Sequence, residues 1–500
     1  MLNKTIVLGV TPVKRAFLSL DVAKAEKEKI MEVIRGIYPG VVKIVDIDDV
    51  VPDGIVFTAD AAAKSIDKLK AAGINALFIP FCDFGEEGPA AMIAEAFKGL
   101  PILIWGPRDE KPNREDRGYR GRDTQCGIFA ATKVIARKGV TYSYIFNVAT
   151  ESPEFKTGYT NFLRTAAIVK DLRGARIAQI GSRPVGFESV IANEGDLVNK
   201  FGITIVPISP SAVSDMADRL VAPSDTNAPP NPFEPPFVKQ MVEDGRKEVD
   251  HYFGEMKKRY ASIEFIPFGP PPPGGINSDE SLKRVCALKA ALKIQLEMNK
   301  CSAAAFECWS AFSAWRGATP CISLGDLSSE GYPLSCETDV YGALSMVILR
   351  AVNLYEEAAF LADLTIRNPR NDNSELLWHC GPFPYSLKHP KSSAALRNAQ
   401  GQFYLKDGDL TLCKLGYDEN TGKYWLFGGE GKTCSGPESS GTYVWLEVDN
   451  WKRWEEKLVF GPYIHHIGGV YGHYLGALRE AARYMDMVFD NAHEQGIYSL

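Results

Sequence analysis

The stretch Asn75-Ala-Leu-Phe-Ile-Pro80, a helical run over residues 90–97, and Pro101-Ile-Leu-Ile-Trp105 read together as strand, helix, strand. Short apolar runs bounded by Gly and Pro suit strands buried on both faces, and the intervening periodicity suits a covering helix. The same alternation extends upstream. Thr5-Ile-Val-Leu-Gly-Val10 is a strand, residues 22–37 a helix closed by Pro39-Gly40, residues 41–45 a strand and residues 61–72 a helix. Such alternation predicts a parallel sheet with helices on both sides. Sheets of this kind bind ligands beyond the carboxyl ends of their strands.

The pattern restarts at Arg173-Gly174, with strands over 175–180 and 203–208 and a helix over 194–201. Two Pro-rich stretches interrupt it, residues 222–237 and 269–275, which read as loops or as a lid over a cleft. Between them residues 238–260 form a charged, solvent-facing helix. A helix over 282–298 then leads to a strand over 302–306. Beyond residue 355 short strands with turn residues take over: 361–366, 376–378, 402–405, 409–415, 424–426 and 442–448. A terminal helix over 474–489 is expected to close this part. The expected class is α/β, with two Rossmann-like parallel-sheet domains (1–171 and 172–354) followed by an antiparallel, β-barrel-like domain (355–500).

Composition bounds the function. The 500 residues are 45% hydrophobic and 24% charged with a net charge of −6, which excludes a disordered chain and lacks the basic excess of a nucleic-acid binder. No run reaches about 18 apolar residues, so no membrane span is expected, and the N-terminus reads as a strand rather than a signal peptide. The ten cysteines include no Cys-x-x-Cys. That excludes a zinc ribbon and fits reduced, buried thiols in the cytoplasm.

Three features carry chemistry. Tyr463-Ile-His465-His466-Ile-Gly-Gly-Val-Tyr-Gly-His473 holds three of the seven histidines. It reads as metal ligation beside glycines or as ordinary hydrogen-bonded imidazoles. Gly331-Tyr-Pro-Leu-Ser-Cys-Glu337-Thr-Asp339-Val-Tyr-Gly342 reads as a strand ending in Glu-x-Asp before a helix over 342–351. Here Glu337 is a site candidate, and Asp339 or Thr338 alternatively a plain helix cap. Ala358-Ala-Phe-Leu-Ala-Asp363-Leu-Thr-Ile366 places one acid among hydrophobics, where it must be paired, hydrogen-bonded or metal-bound. Downstream, Leu376-Leu-Trp-His379-Cys-Gly381 ends an apolar run in one histidine, a site residue or a satisfied core residue. Two carboxylates with two histidines suit Mn²⁺ or a similar divalent ion. No His-Glu-x-x-His, Walker loop, Gly-x-Ser-x-Gly or Gly-x-Gly-x-x-Gly occurs. The aromatics Trp309, Trp315, Tyr332 and Tyr341 line a pocket or fill the core.

These segments resemble the L-fucose isomerase and L-arabinose isomerase superfamily, in layout over most of the chain and in motifs from about residue 180 onward. Cys-Glu337-Thr-Asp-Val-Tyr-Gly-Ala-Leu resembles the strand with the family's first metal-binding glutamate. Phe-Leu-Ala-Asp363 resembles its second acidic ligand, at close to the family's separation. Trp-His379-Cys-Gly sits where arabinose isomerases place a ligand histidine, and His465-His466 resembles the late pair whose second member binds metal. Val190-Ile-Ala-Asn-Glu-Gly-Asp-Leu-Val-Asn-Lys-Phe-Gly202 resembles the opening of the family's second domain. The second histidine points to the arabinose branch, and Phe-Leu-Ala-Asp to the fucose branch.

The resemblance implies metal-dependent aldose–ketose isomerisation of a five- or six-carbon sugar. It implies Glu337, Asp363, His466 and His379 as ligands of Mn²⁺, Mg²⁺ or Co²⁺, with Glu337 and Asp363 also moving protons. It implies His465 on sugar hydroxyls, and a homo-oligomer, a hexamer in the family's manner, with Lys14 and Arg15 reaching a neighbour's site. A non-catalytic sugar-binding protein and a metal-dependent aldolase-type lyase are the alternatives from other classes.

Overall fold

A computed structural model describes residues 3–111, 122–221, 235–266, 277–309 and 319–495. Two compact units result: Asn3–Lys170 together with Gly476–Asp486, and the rest of the chain.

In the first unit the strands β1 (Ile6–Val10), β2 (Val42–Val45), β3 (Ala76–Pro80), β4 (Ile102–Trp105) and β5 (Ser143–Tyr144) form a parallel sheet of order β2-β1-β3-β4-β5. β3 and β4 are buried at every position, as their unbroken apolar runs require. The helices Thr124–Arg137 and Pro153–Leu172 also belong here, although the sequence reading passes over both.

In the second unit β6 (Arg176–Ile180), β7 (Thr204–Ile208), β9 (Ala303–Phe306) and β10 (Leu334–Ser335) form a parallel sheet of order β10-β9-β6-β7. The short strand β8 (Ser262–Glu264) lies outside it. The remaining strands are β11 (Phe360–Asn368), β12 (Asn371–His379), β13 (Ala395–Arg397), β14 (Gln400–Tyr404), β15 (Asp409–Asp418), β16 (Lys423–Cys434), β17 (Thr442–Glu447), β18 (His466–Tyr471) and β19 (Val488–Asn491). The pairings run β16-β15-β18-β11-β12-β17, and β17 pairs again with β16, which closes a six-stranded antiparallel barrel. β19 and β14 extend it, with β13 and β8 beyond. The fold class expected from sequence is the one observed, and closure removes the free edges an open antiparallel sheet would expose.

The helix Val340–Val352 joins the parallel sheet to the barrel. It is buried at every position, as its nearly all-apolar sequence demands. Gly468 and Gly469 of β18 allow close packing: a Cβ on Gly469 would stand 2.3 Å from the Phe360 ring, and one on Gly468 2.6 Å from Leu349. One continuous core runs from Ala178, Ile180 and Phe306 through Phe360 and Leu377 to Phe427 and Trp454.

Several local expectations change. The helix Pro236–Arg259 is not simply solvent-facing, because Val238, Val242, Val249, Tyr252 and Met256 are buried along one side. Its charges mask an amphipathic face. A helix at Trp451–Phe460 lies between the last expected strand and the expected terminal helix, where no element was expected. The terminal helix spans only Leu475–Tyr484 and does not close the barrel. Its Tyr484 hydroxyl bonds to the backbone of Ile102, and Glu480 accepts from Ser143, so it completes the first unit, while β19 returns to the barrel. Residues 222–234 and 269–275 of the Pro-rich stretches lie outside the described residues.

One acid of β12 gives a pH prediction. Glu375 is buried, its Oε2 has no hydrogen-bond partner among the described residues, and burial pushes its carboxyl up to about 7. Between the unfolded value of 4.5 and about 7 the folded state holds more protons, so stability falls as pH rises through that window. Glu375→Gln is expected to stabilise the protein by about 1–3 kcal/mol at about pH 8 and by nothing at about pH 4. Urea unfolding at the two pH values checks this; equal gains at both would refute it.

Candidate active site

The residues of the candidate site come from four places in the second unit. Glu337 follows β10 on a turn, Asp363 lies within β11, His379 ends β12, and His466 opens β18 with His465 just before it. Asp363 and His466 are directly opposite in the antiparallel β11–β18 register. Glu337 does not end a strand as expected. It and Thr338 both occupy the left-handed backbone region, at φ 51° and 58°. Two such non-glycine residues in succession cost about 1–3 kcal/mol each and persist only where surroundings impose them. Here Thr338 N donates to Phe306 O, Asp339 N to Cys336 O, and the Thr338 hydroxyl to Ser182 O at 2.9 Å.

The side chains converge. His466 Nε2 lies 3.6 Å from Glu337 Oε2 and 3.4 Å from Asp363 Oδ1, and His379 Nε2 lies 3.7 Å from Glu337 Oε2. Ligand atoms of Glu337, His379 and His466 all lie within 4.8 Å of one another, as do those of Asp363, His465 and His466. Glu337 Oε2, Asp363 Oδ1 and His379 Nε2 are buried without a hydrogen-bond partner among the described residues. Buried polar atoms are rarely left so, and three in one cluster could hold another group. Two carboxylates and two imidazoles suit a divalent ion such as Mn²⁺. Burial alone would raise the Glu337 carboxyl, but His379 and the charge of His466 outweigh it and hold the group below its ordinary value.

Asp339 sits behind His466. Its Oδ2 accepts from His466 Nδ1 at 2.9 Å and from Lys414 Nζ at 2.8 Å, and its Oδ1 accepts from Gly342 N at 2.8 Å. The sequence alternative of a plain cap is therefore half the account: Asp339 caps the helix Val340–Val352 and also fixes an imidazole. In its neutral form, with Nδ1 donating to Asp339, His466 presents a free lone pair on Nε2. Burial opposes ionisation of Asp339, but the Lys414 charge and His466 outweigh it and hold the carboxyl far below its ordinary range. Lys414, 2% exposed, was legible as a lone cation in the apolar run Leu412-Cys-Lys-Leu415, the same signal that exposes Asp363.

His379 is set differently. Its Nδ1 accepts from Cys380 N at 2.9 Å, which puts the ring proton on Nε2. Metal ligation through Nε2 requires that proton to move to Nδ1, which forfeits the hydrogen bond from Cys380 N and leaves Cys380 Sγ at 3.3 Å as the acceptor. His466 is preorganised and His379 is not. His466→Ala is accordingly expected to weaken Mn²⁺ binding at least about tenfold more than His379→Ala. Titration with the electron paramagnetic resonance of free Mn²⁺ measures both; a reversed order would overturn this ranking.

His465 lies 3.9 Å from Asp363 Oδ1, and burial with the neighbouring His466 charge lowers its imidazole. Phe187 packs edge-on to both Trp309 and His465. Trp309 is half-exposed there, whereas Tyr332 and Tyr341 are core; Trp315 lies outside the described residues. Lys14 and Arg15 belong to the first unit. Lys14 is buried and bonds the carbonyls of Arg15 and Ala16, while Arg15 pairs with Glu86 at 3.4 Å.

Known proteins add to this. Residues 9–173 match the family model described as fucose/sulfoquinovose isomerase, N-terminal domain. Over 498 residues, 97% of this chain and 99% of theirs, the chain is 24% identical to proteins named sulfoquinovose isomerase from Priestia aryabhattai and Priestia megaterium. A protein of the same name from Alkalicoccus urumqiensis is 25% identical over 66% of this chain and 67% of its own.

Proposed function

Because this chain belongs to the fucose isomerase-like proteins and is a sugar isomerase, we propose that it interconverts an aldose and its 2-ketose at the Glu337, Asp363, His379 and His466 cluster, with sulfoquinovose as the sugar. The observation that supports this reading is the convergence of two buried, unpartnered carboxylate oxygens, Glu337 Oε2 and Asp363 Oδ1, on His466 Nε2, with His379 Nε2 3.7 Å from the first of them. The substrate rests on the names of the relatives.

These four residues would hold a divalent metal, which when bound supplies Lewis-acid stabilisation of charge on adjacent sugar oxygens. The chain's own residues do the rest. Isomerisation moves a proton from C2 of the aldose to C1, while a hydroxyl proton passes from O2 to O1. Glu337 and Asp363 are the two carboxylates placed to carry those protons, and positioned groups of this kind contribute about 10²–10⁴-fold. Glu337 is held ionised, as a base must be. His465 at the exposed side of the cluster bonds sugar hydroxyls, and the Phe187–Trp309 pair offers apolar faces to sugar carbons. By the same family resemblance the chain works as a cytoplasmic homo-oligomer, a hexamer, in which Arg15 of one copy faces the site of another and the buried Lys14 holds the backbone of Arg15 and Ala16 behind it; light scattering measures the assembly. Ten free thiols support a reducing compartment.

The test uses the full chain, stripped of metal, then given Mn²⁺ and sulfoquinovose or neutral aldoses in D₂O. Chelation is expected to abolish turnover and Mn²⁺ to restore it, with deuterium appearing at C1 or C2 of the product. Turnover without deuterium would replace proton transfer by a hydride shift. No turnover of any sugar with Mn²⁺ bound would overturn the function.

A further inference from the structure

The Glu337 carboxylate faces two chemically different compartments. Its Oε2 faces the imidazoles of His379 and His466. Its Oε1 accepts a hydrogen bond from Cys308 Sγ at 3.4 Å. Cys336, the residue before Glu337, lies beside Cys308. Ligand atoms of Cys308, Cys336 and Glu337 lie within 4.8 Å of one another, and the three residues are 3%, 1% and 7% exposed. Neither cysteine is in a disulfide.

We propose that Cys308, Cys336 and Glu337 Oε1 form a second metal site, for one thiophilic ion of the zinc or cadmium class, adjoining the oxygen-and-imidazole site and sharing Glu337 with it. Two sulfurs and one oxygen are three donors of a tetrahedral site with one position open. Sulfur donors select soft ions and discriminate against Mn²⁺ and Mg²⁺, for which the other compartment is suited. On binding, each S–H bond is exchanged for a sulfur–metal bond, and both protons pass to solvent. Because one carboxylate serves both compartments, an ion on the sulfur side draws Glu337 toward itself. Thiophilic metals therefore inhibit isomerisation without entering the other compartment. Only this inhibitory consequence rests on the proposed function.

The experiment titrates the full, Mn²⁺-loaded chain with Cd²⁺. It follows thiolate-to-cadmium charge-transfer absorption in the ultraviolet, free Mn²⁺ by paramagnetic resonance, and isomerase activity. Absorption saturating at about one Cd²⁺ per chain is expected, with at least a tenfold loss of activity in step and no matching release of Mn²⁺. Cys308→Ser/Cys336→Ser is expected to lose the absorption. Cys321→Ser/Cys380→Ser, which removes the other close thiol pair at 3.6 Å, is expected to keep it. Three results overturn the site: no absorption in the unmodified chain, absorption that survives loss of Cys308 and Cys336, or Mn²⁺ released in step with Cd²⁺ uptake. Absorption as expected in a chain that isomerises no sugar would leave the site standing and refute the proposed function.

Discussion

Replacing Glu337 with glutamine is expected to lower kcat/KM at least about 10³-fold, roughly 4 kcal/mol of transition-state stabilisation. The change keeps the shape of the side chain and removes the charge. Both proposed roles need that charge, one as a metal ligand and one as a proton carrier. The loss of stability should be modest: Oε2 has no hydrogen-bond partner to lose and the amide oxygen of glutamine can still accept from Cys308, so what goes is the attraction of His379 and His466 for the charge. The variant should therefore melt within a few degrees of the parent while binding Mn²⁺ more weakly. Steady-state kinetics with a thermal melt decide it. Activity above about a tenth of the parent's, in a folded variant, would remove Glu337 from the reaction.

Asp339→Ala should produce the largest loss of stability, about 3–5 kcal/mol. Asp339 is 0% exposed and Lys414 2%, so truncating the acid leaves a buried ammonium without its counter-charge. The helix Val340–Val352 loses its cap, and His466 loses the acceptor that fixes its tautomer. Denaturant unfolding measures the loss. Asp339→Leu combined with Lys414→Met separates the contributions. Removing both charges should recover much of the stability yet leave Mn²⁺ affinity about 10–100-fold low, because the His466 partner is still missing. A single variant within 1 kcal/mol of the parent would mean that Lys414 finds another route to water.

The sequence conveys the elements that obey one period. Unbroken apolar runs identify β3, β4, β9 and most barrel strands, and the helix Glu194–Phe201 falls where its periodicity places it. It does not convey elements whose polarity is mixed by tertiary contacts. Thr124–Arg137 buries a regular stripe made largely of small residues (Thr124, Gly127, Ile128, Ala131, Ile135), and the charges on Pro236–Arg259 conceal the face that packs. In the site, Asp363 and His466 stand out because polar groups among apolar neighbours demand a reason. The Asp339–His466 bond spans 127 residues, and nothing local to Asp339 distinguishes a cap from a cap with a second duty. Cys308 is equally silent, because its link to Glu337 exists only after β9 and β10 pair.

The return of helix Leu475–Tyr484 to the first unit sets an order of events during synthesis. Residues 3–170 leave the ribosome about 300 residues before the helix that completes their packing, a delay of about 15–60 s at typical elongation rates. Throughout that interval Ile102, Ser143 and Thr165 lack the partners they later find in Tyr484, Glu480 and Ala477. The nascent chain thus carries an open, partly apolar seat until residues 476–486 emerge. A stop codon shortly before residue 475 would strand that seat permanently, and the truncated product should be a client for chaperones and proteases rather than a smaller enzyme.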